Sequence, residues 1–180
     1  FFGGRTPEPK PTLDYPSVSS IVFSYETDTQ MLLPIIPSVL QLREPVVTVA
    51  FGSNANLEWL AGRGCESVAV TVPVRYTAPD GTTTDGEFNL VEFDNLAEPM
   101  LLARDLVGAP KVFANISHSD ETVRVWYNQG PNGLTEFLTL DVSSTAAAAA
   151  PAASTTNSLN WRYYPSALGG SNNASVSQLT

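Results

Sequence analysis

The sequence predicts an α+β fold built mainly of antiparallel strands with one principal helix. Three observations carry that prediction. Much of the chain falls into short runs of β-branched and aromatic residues, the composition of strands rather than helices. Two connections between such runs, Pro79-Asp80-Gly81 and Gln129-Gly130-Pro131-Asn132-Gly133, hold the proline and glycine that tight hairpin turns require. Only 97–107 joins a helical apolar stripe to a start signal and a stop signal.

Taken in order, residues 1–18 are rich in proline around Pro7-Glu8-Pro9-Lys10-Pro11 and predict an extended arm, with one domain over 19–180. The run 19–25 is a strand, after which Asp28 caps a short helix through Leu33 that Pro34 and Pro37 bring to an end. Residues 44–51 read as one continuous apolar strand, buried on both faces or lining a cavity, and 52–56 as a loop. A helical turn over 57–63 carries Trp59. The strands 67–76 and 87–93 pair back through Pro79-Asp80-Gly81, where proline presets the bend and Gly81 accepts a positive φ. In the main helix Pro99 suits the first turn, while Met100, Leu101, Ala103, Leu106 and Val107 supply the stripe before Gly108. Strands at 111–116, 122–128, 134–140 and 160–164 follow. Between them, residues 143–158 hold a run of alanines amid serine and threonine, a low-complexity loop that buries little surface.

At 180 residues and 43% hydrophobic, the chain suffices for one domain with a core. The formal charge of -9 argues against nucleic acid or an anionic membrane as partner, because phosphates need clustered Lys and Arg. One cysteine, Cys65, and one histidine, His118, leave no internal disulfide and no conventional zinc site, so neither metal nor cofactor is expected. No apolar run approaches a membrane span and no leader pattern opens the chain, so a soluble cytoplasmic protein is the default expectation.

The candidate chemistry lies at Arg104-Asp105-Leu106-Val107-Gly108-Ala109-Pro110-Lys111. The only other lysine, Lys10, sits in the arm, so Lys111 is the one side-chain amine of the domain. Its neighbours Leu106, Val107, Ala109, Val112, Phe113 and Ala114 predict an ammonium against hydrophobic surface. Desolvation favours loss of the proton, and a neutral amine beside a carbonyl compound forms an imine. The bland alternative is an amine that snorkels to water along its own stem.

This segment resembles the lysine-bearing stretch of the acetoacetate decarboxylase-like family, whose lysine after the proline forms the Schiff base. Tyr25-Glu26-Thr27-Asp28, Ile35-Ile36-Pro37-Ser38-Val39-Leu40 with Glu44-Pro45-Val46-Val47, Val72-Pro73-Val74, and Tyr164-Pro165-Ser166 with Gly169 and Gly170 match in the same order. The resemblance covers about 19–180. It implies a curved, barrel-like sheet around a central cavity, a small keto-acid substrate, a homo-oligomer, and further C-terminal strands that this chain lacks. The implied reaction is β-keto acid decarboxylation, with Lys111 as nucleophile and Glu66 as proton donor or positioning group. Aldolase or dehydratase chemistry on a larger keto acid, and small-molecule binding without catalysis, remain alternatives.

The match has gaps. The family's decarboxylases carry a second lysine where this chain has Val112, an arginine near Val18, and an acid at Ala50 or Phe51. Glu66 stands for the family's other acid only if the strand holds a bulge. The substrate-binding residues are therefore not assigned. Arg104 and Asp105 read as a helix-end ion pair, Arg75 as solvent-facing, and His118 as a surface turn residue. Trp59, Trp126 and Trp161 read as walls of the core or of a cavity.

Overall fold

Alternation, rather than continuous apolarity, organises the main sheet. The computed structural model describes residues 13–128, 133–144, 156–165 and 174–180. Expectations for the arm before residue 13, the turn at 129–132, most of the alanine-rich segment and the glycines at 169 and 170 lie outside the described residues.

Strand β1 (Ser17–Glu26) leads to α1 (Thr29–Leu32), whose first turn is closed as expected by the Asp28 carboxylate accepting from the Gln30 N–H at 2.8 Å. Then come β2 (Leu40–Leu42), β3 (Val46–Ala55), a 3-10 turn (Glu58–Leu60), β4 (Cys65–Thr77) and β5 (Thr83–Asp94). The β4–β5 hairpin turns at Gly81 with φ +86°, as Pro79-Asp80-Gly81 predicted. After α2 (Ala97–Val107) follow β6 (Lys111–Phe113), β7 (Asn115–His118), β8 (Thr122–Asn128), β9 (Leu134–Asp141), β10 (Ser158–Leu159), β11 (Trp161–Pro165) and β12 (Ala174–Leu179).

A seven-stranded sheet runs β1-β3-β4-β5-β10, with β2 on the far end of β4 and β6 beside β5. Contacts are antiparallel except those that β5 makes with β6 and β10, which are parallel. The strands β7-β8-β9 form a second sheet and β11-β12 a third. Mostly strand, with two short helices, this is the α+β arrangement the sequence predicted. Among the described residues the ladders stay three separate sheets and do not close into a barrel.

Four local expectations need correction. Of the two readings given for β3, burial on both faces fails: Val47, Val49 and Phe51 are buried while the residues between them are half-buried. The strand also runs on through 52–55, because Gly52 and Asn54 have strand partners on both sides, Ser20 and Val18 in β1, Ser67 and Cys65 in β4. Paired neighbours outweigh loop-like composition. The single strand expected over 111–116 breaks at buried Ala114, whose N–H donates to the Asp94 carbonyl before the chain crosses to the second sheet. The tail, left without a strand in the sequence reading, forms β12 against β11.

The core lies between the first two sheets. Val68, Val72 and Val74 of β4 and Val123 and Val125 of β8 are fully buried with Phe51 beside them. Each such side chain contributes on the order of 1.5–3 kcal/mol by leaving water. A one-residue slip of β4 would turn that row to the other face, so burial fixes its register. The helix behaves differently, because only Pro99 of α2 is buried. Leu101, Leu106 and Val107 of the expected stripe are 41, 60 and 46% exposed. No helix among the described residues is long and apolar enough to cross a membrane.

Gly64 opens β4 where β3 ends, and a Cβ there would collide with the backbone carbonyl of Asn54. Backbone cannot rotate aside as a side chain can. Gly64→Ala is therefore expected to lower stability by roughly 2 kcal/mol or more, read as a fall in thermal midpoint.

Candidate active site

The segment that delivers Lys111 is built from local backbone rules. Gly108 ends α2 in the left-handed region at φ +68°, donating back to Arg104, as its place in the sequence predicted. Lys111 N–H then donates to the Ala109 carbonyl at 2.8 Å, a three-residue turn whose centre is Pro110. Arg104 Nη1 donates to the Lys111 carbonyl at 3.0 Å, tying the strand to the last turn of the helix. Lys111 thus enters the sheet at a fixed position, opposite Glu92 of β5.

Strand register decides what shares its face. Partners across a ladder point to the same side. Lys111 pairs with Glu92, Glu92 with Ala69, and Ala69 with Ala50; one step along, Asp94 pairs with Ser67 and Ser67 with Gly52. Cys65 and Asn54 complete the row. The amine therefore looks along a floor of small side chains, Ala50, Gly52, Ser67 and Ala69, each only half-buried. Tyr15 lies at the border of this patch, its ring edge-on to Trp59 with centroids 6.3 Å apart.

The amine is buried but not apolar. Lys111 Nζ lies 2.9 Å from Glu92 Oε1 and 2.9 Å from Asp94 Oδ2, with only 12% of its side chain exposed. Burial alone would pull the lysine pKa down, yet the two carboxylates more than offset it, and the net direction is up. The expected hydrophobic bed and neutral amine are thus replaced by a stored ammonium. Asp94, 1% exposed, is itself pushed by burial up to about 6 against the pull of Lys111. At neutral pH the cluster holds one cation between two anions. Burial also raises the Cys65 thiol and the Tyr15 phenol, the latter opposed by the charge of Lys111.

Glu66 is one residue out of step with that face. It pairs with Ser53, beside Phe51 and Val68, on the side turned to the second sheet. There it meets His118 Nδ1 at 2.9 Å and accepts from Asn95 Nδ2 at 3.3 Å. The ladder does shift register between Val70 and Thr71, within the stretch from Glu66 to Pro73, but the extra residue, Leu90, belongs to β5, so β4 keeps its alternation and Glu66 stays on the side of Val68, Val72 and Val74. His118 is no turn residue: it ends β7 and packs on the Phe51 ring at 5.1 Å. Glu66→Gln is accordingly expected to leave carbonyl labelling of Lys111 within about twofold of wild type, measured by reductive trapping.

Other predicted residues sit elsewhere. Val18, facing the same side as Asn54, puts no cation there. Val112 faces away from Lys111 and helps line a hollow of about 420 Å³ with Met100, Phe113, Trp126 and Tyr127. Arg75 is exposed and grips Asp85 through two bonds of 2.6 and 2.9 Å. Trp161 packs against the main core and Trp59 against a smaller one around Leu57 and Leu60. The residues missed were Glu92 and Asp94. Their signal was legible: carboxylates two apart, alternating with Val91 and Phe93, belong to one face of a strand.

Comparison with known proteins bears on this arrangement. The family described as Acetoacetate decarboxylase (ADC) matches residues 3–180. No curated protein matches significantly. An acetoacetate decarboxylase structure from Legionella pneumophila is similar over 99% of this chain and 70% of that one, at 20% identity and a TM-score of 0.65. An acetoacetate decarboxylase-like enzyme from Sphingomonas wittichii RW1 is similar at 17% identity over 90% and 68% of the two chains, with a TM-score of 0.64. The enduracididine biosynthesis enzyme MppR, complexed with the condensation product of pyruvate and imidazole 4-carboxaldehyde, matches at 11% identity over 84% and 63%, with a TM-score of 0.59. The family match over nearly the whole chain settles the descent of the fold: this chain belongs to the acetoacetate decarboxylase family.

Proposed function

We propose that the protein is an imine-forming carbon–carbon lyase in which Lys111 attacks the carbonyl of a small substrate. The observation that carries this is the placement of the only described lysine, its amine held beside a half-buried row of small residues on one face of the main sheet. Decarboxylation of a β-keto acid, the family's named activity, is the first reaction to test. The iminium would take up the electrons left when the carboxyl group departs as carbon dioxide, giving an enamine that a proton then converts to product imine. A barrel-like curvature of the sheet belongs to the same reading, since it would turn the small-residue face toward a cavity. Assembly into a homo-oligomer is supported by the exposed Leu101, Leu106 and Val107 of α2.

Stability alone is a poor reason to keep such a cluster. A buried ion pair repays its desolvation only with good geometry, and apolar replacements are often as stable. Perturbed titratable groups gathered on one face instead mark functional sites.

A second reading, a family member that binds carbonyl compounds without catalysis, is favoured by the same carboxylates, because they keep the amine protonated. Reductive trapping separates the two. Incubation with acetoacetate and borohydride is expected to add mass to the peptide carrying Lys111, with carbon dioxide released in the absence of reductant. No adduct with any ketone, aldehyde or keto acid would leave the binding protein as the surviving account.

A further inference from the structure

We infer that the carboxylate of the keto acid is held by two neutral donors on the lysine's own face, the Ser67 hydroxyl and the Asn54 side-chain amide. This rests on the imine chemistry proposed above and names the residues that pick an acid out among carbonyl compounds. A substrate carboxylate needs hydrogen-bond donors, and the groups flanking the amine offer none. Glu92 Oε1 and Asp94 Oδ2, each 2.9 Å from Nζ, only accept when ionised. The arginines described in and beside the main sheet hold acids of their own. Arg75 and Arg43 grip Asp85 at 2.6 and 3.5 Å, and Arg63 grips Glu98 at 2.6 Å.

Register brings the donors in. Ser67 stands opposite Asp94 on one side and Gly52 on the other, so its hydroxyl shares the lysine's face and neighbours the carboxylate that the amine touches. No hydrogen bond engages that hydroxyl among the described residues. Gly52 keeps it uncovered: a Cβ there would already sit 3.7 Å from Ser67 Oγ, and a longer side chain would close over it. One step along the row, Asn54 pairs with Cys65. The acceptor its amide meets among the described residues is Cys65 Sγ at 3.9 Å, and sulfur accepts weakly. An amide held so loosely turns readily to an oxygen. Ser67 and Asn54 are diagonal neighbours on adjacent strands, a spacing of roughly 7–8 Å. Two hydrogen bonds of about 2.8 Å with a carboxylate between them cover roughly that span, one oxygen to each donor. A hydrogen bond to a charged group is worth on the order of tenfold or more in affinity, enough to prefer an acid over a plain ketone.

The test compares acetoacetate with acetone, which lacks the carboxylate, in wild type, Ser67→Ala, Asn54→Ala, the double variant and Ser67→Thr. Each compound is supplied below saturation with cyanoborohydride at pH 7.5. Labelling of Lys111 is followed by mass spectrometry, counting intact and decarboxylated adducts together. The expected result is a ratio of acetoacetate to acetone labelling about tenfold lower in each alanine variant and lower again in the double variant. Ser67→Thr, which keeps a hydroxyl, should stay within about threefold of wild type. Both compounds are trapped by the same amine, so a packing defect or a change in its protonation cancels in the ratio. A ratio that either alanine variant leaves unchanged would overturn this inference and leave imine chemistry standing. Absence of any adduct at Lys111 in wild type would overturn both.

Discussion

Replacing Lys111 with methionine is expected to abolish reductive trapping and to destabilise the fold by about 3–5 kcal/mol at pH 7.5, the usual cost of stranding a buried charge. Methionine matches the stem of lysine in length, so little packing is lost. What is lost is the only cation paired with Asp94, which is 1% exposed, and Glu92, which is 17% exposed, among the described residues. The pH dependence separates this cause from a packing defect. An acid whose folded pKa lies above its unfolded value adds stability below the unfolded pKa and loses it as pH rises through the folded one. Asp94 moves from an ordinary 3.8 to about 6, roughly two units or about 3 kcal/mol, so its ionised form burdens the fold above pH 6 and its protonated form does not. Below that pH the missing lysine matters less. The deficit of Lys111→Met relative to wild type is expected to shrink steadily between pH 7.5 and pH 5, read by urea denaturation. A deficit that stays constant over that range would show that charge is not its source.

The sequence disclosed the scaffold better than the chemistry, for a physical reason. Helix α2, the Gly108 stop and the Gly81 turn follow from rules within one segment, and each was legible. So was the lysine, because a proline-directed turn after a helix end needs no partner to be recognised. Which side chains surround that lysine depends on register between strands distant in sequence. Glu66 looked suitable by proximity to Val72-Pro73-Val74, yet one residue of parity sends it to His118 and brings Ser67 to the lysine's face instead. In the sequence Glu92 reads only as a strand residue and Asp94 falls one position past the expected strand, because their meaning arises when β6 docks in parallel beside β5. Of the small row, Ala50 stands in the sequence only as one of two places for the family's acid, and Gly52, Ser67 and Ala69 are silent, with Gly52 reading as part of a loop. Ladder partners on both sides turned that glycine into strand.

Glu92→Gln is expected to accelerate imine formation, although it removes a counter-charge from beside the reacting amine. Only the unprotonated amine attacks a carbonyl, and the carboxylates hold the Lys111 pKa above its ordinary 10.5. At pH 7.5 fewer than about one molecule in a thousand then carries the free base. Glutamine keeps the shape of the side chain and a hydrogen-bond acceptor 2.9 Å from Nζ but takes away one negative charge. At that separation an effective dielectric of about 20 gives several kcal/mol. Because Glu92 retains some solvent contact and Asp94 remains, a fall of about one to two units in the lysine pKa is the reasonable expectation. Ten- to hundredfold faster trapping of hydroxyacetone at pH 7.5 should follow, with the rising limb of the rate–pH profile displaced to lower pH by the same one to two units. The variant's advantage should vanish above the pKa of both proteins, where each amine is already free. Profiles that coincide between pH 6 and 10 would mean that Glu92 does not govern protonation of Lys111. A slower variant with an unshifted limb would instead mark Glu92 as a group that acts directly on the substrate.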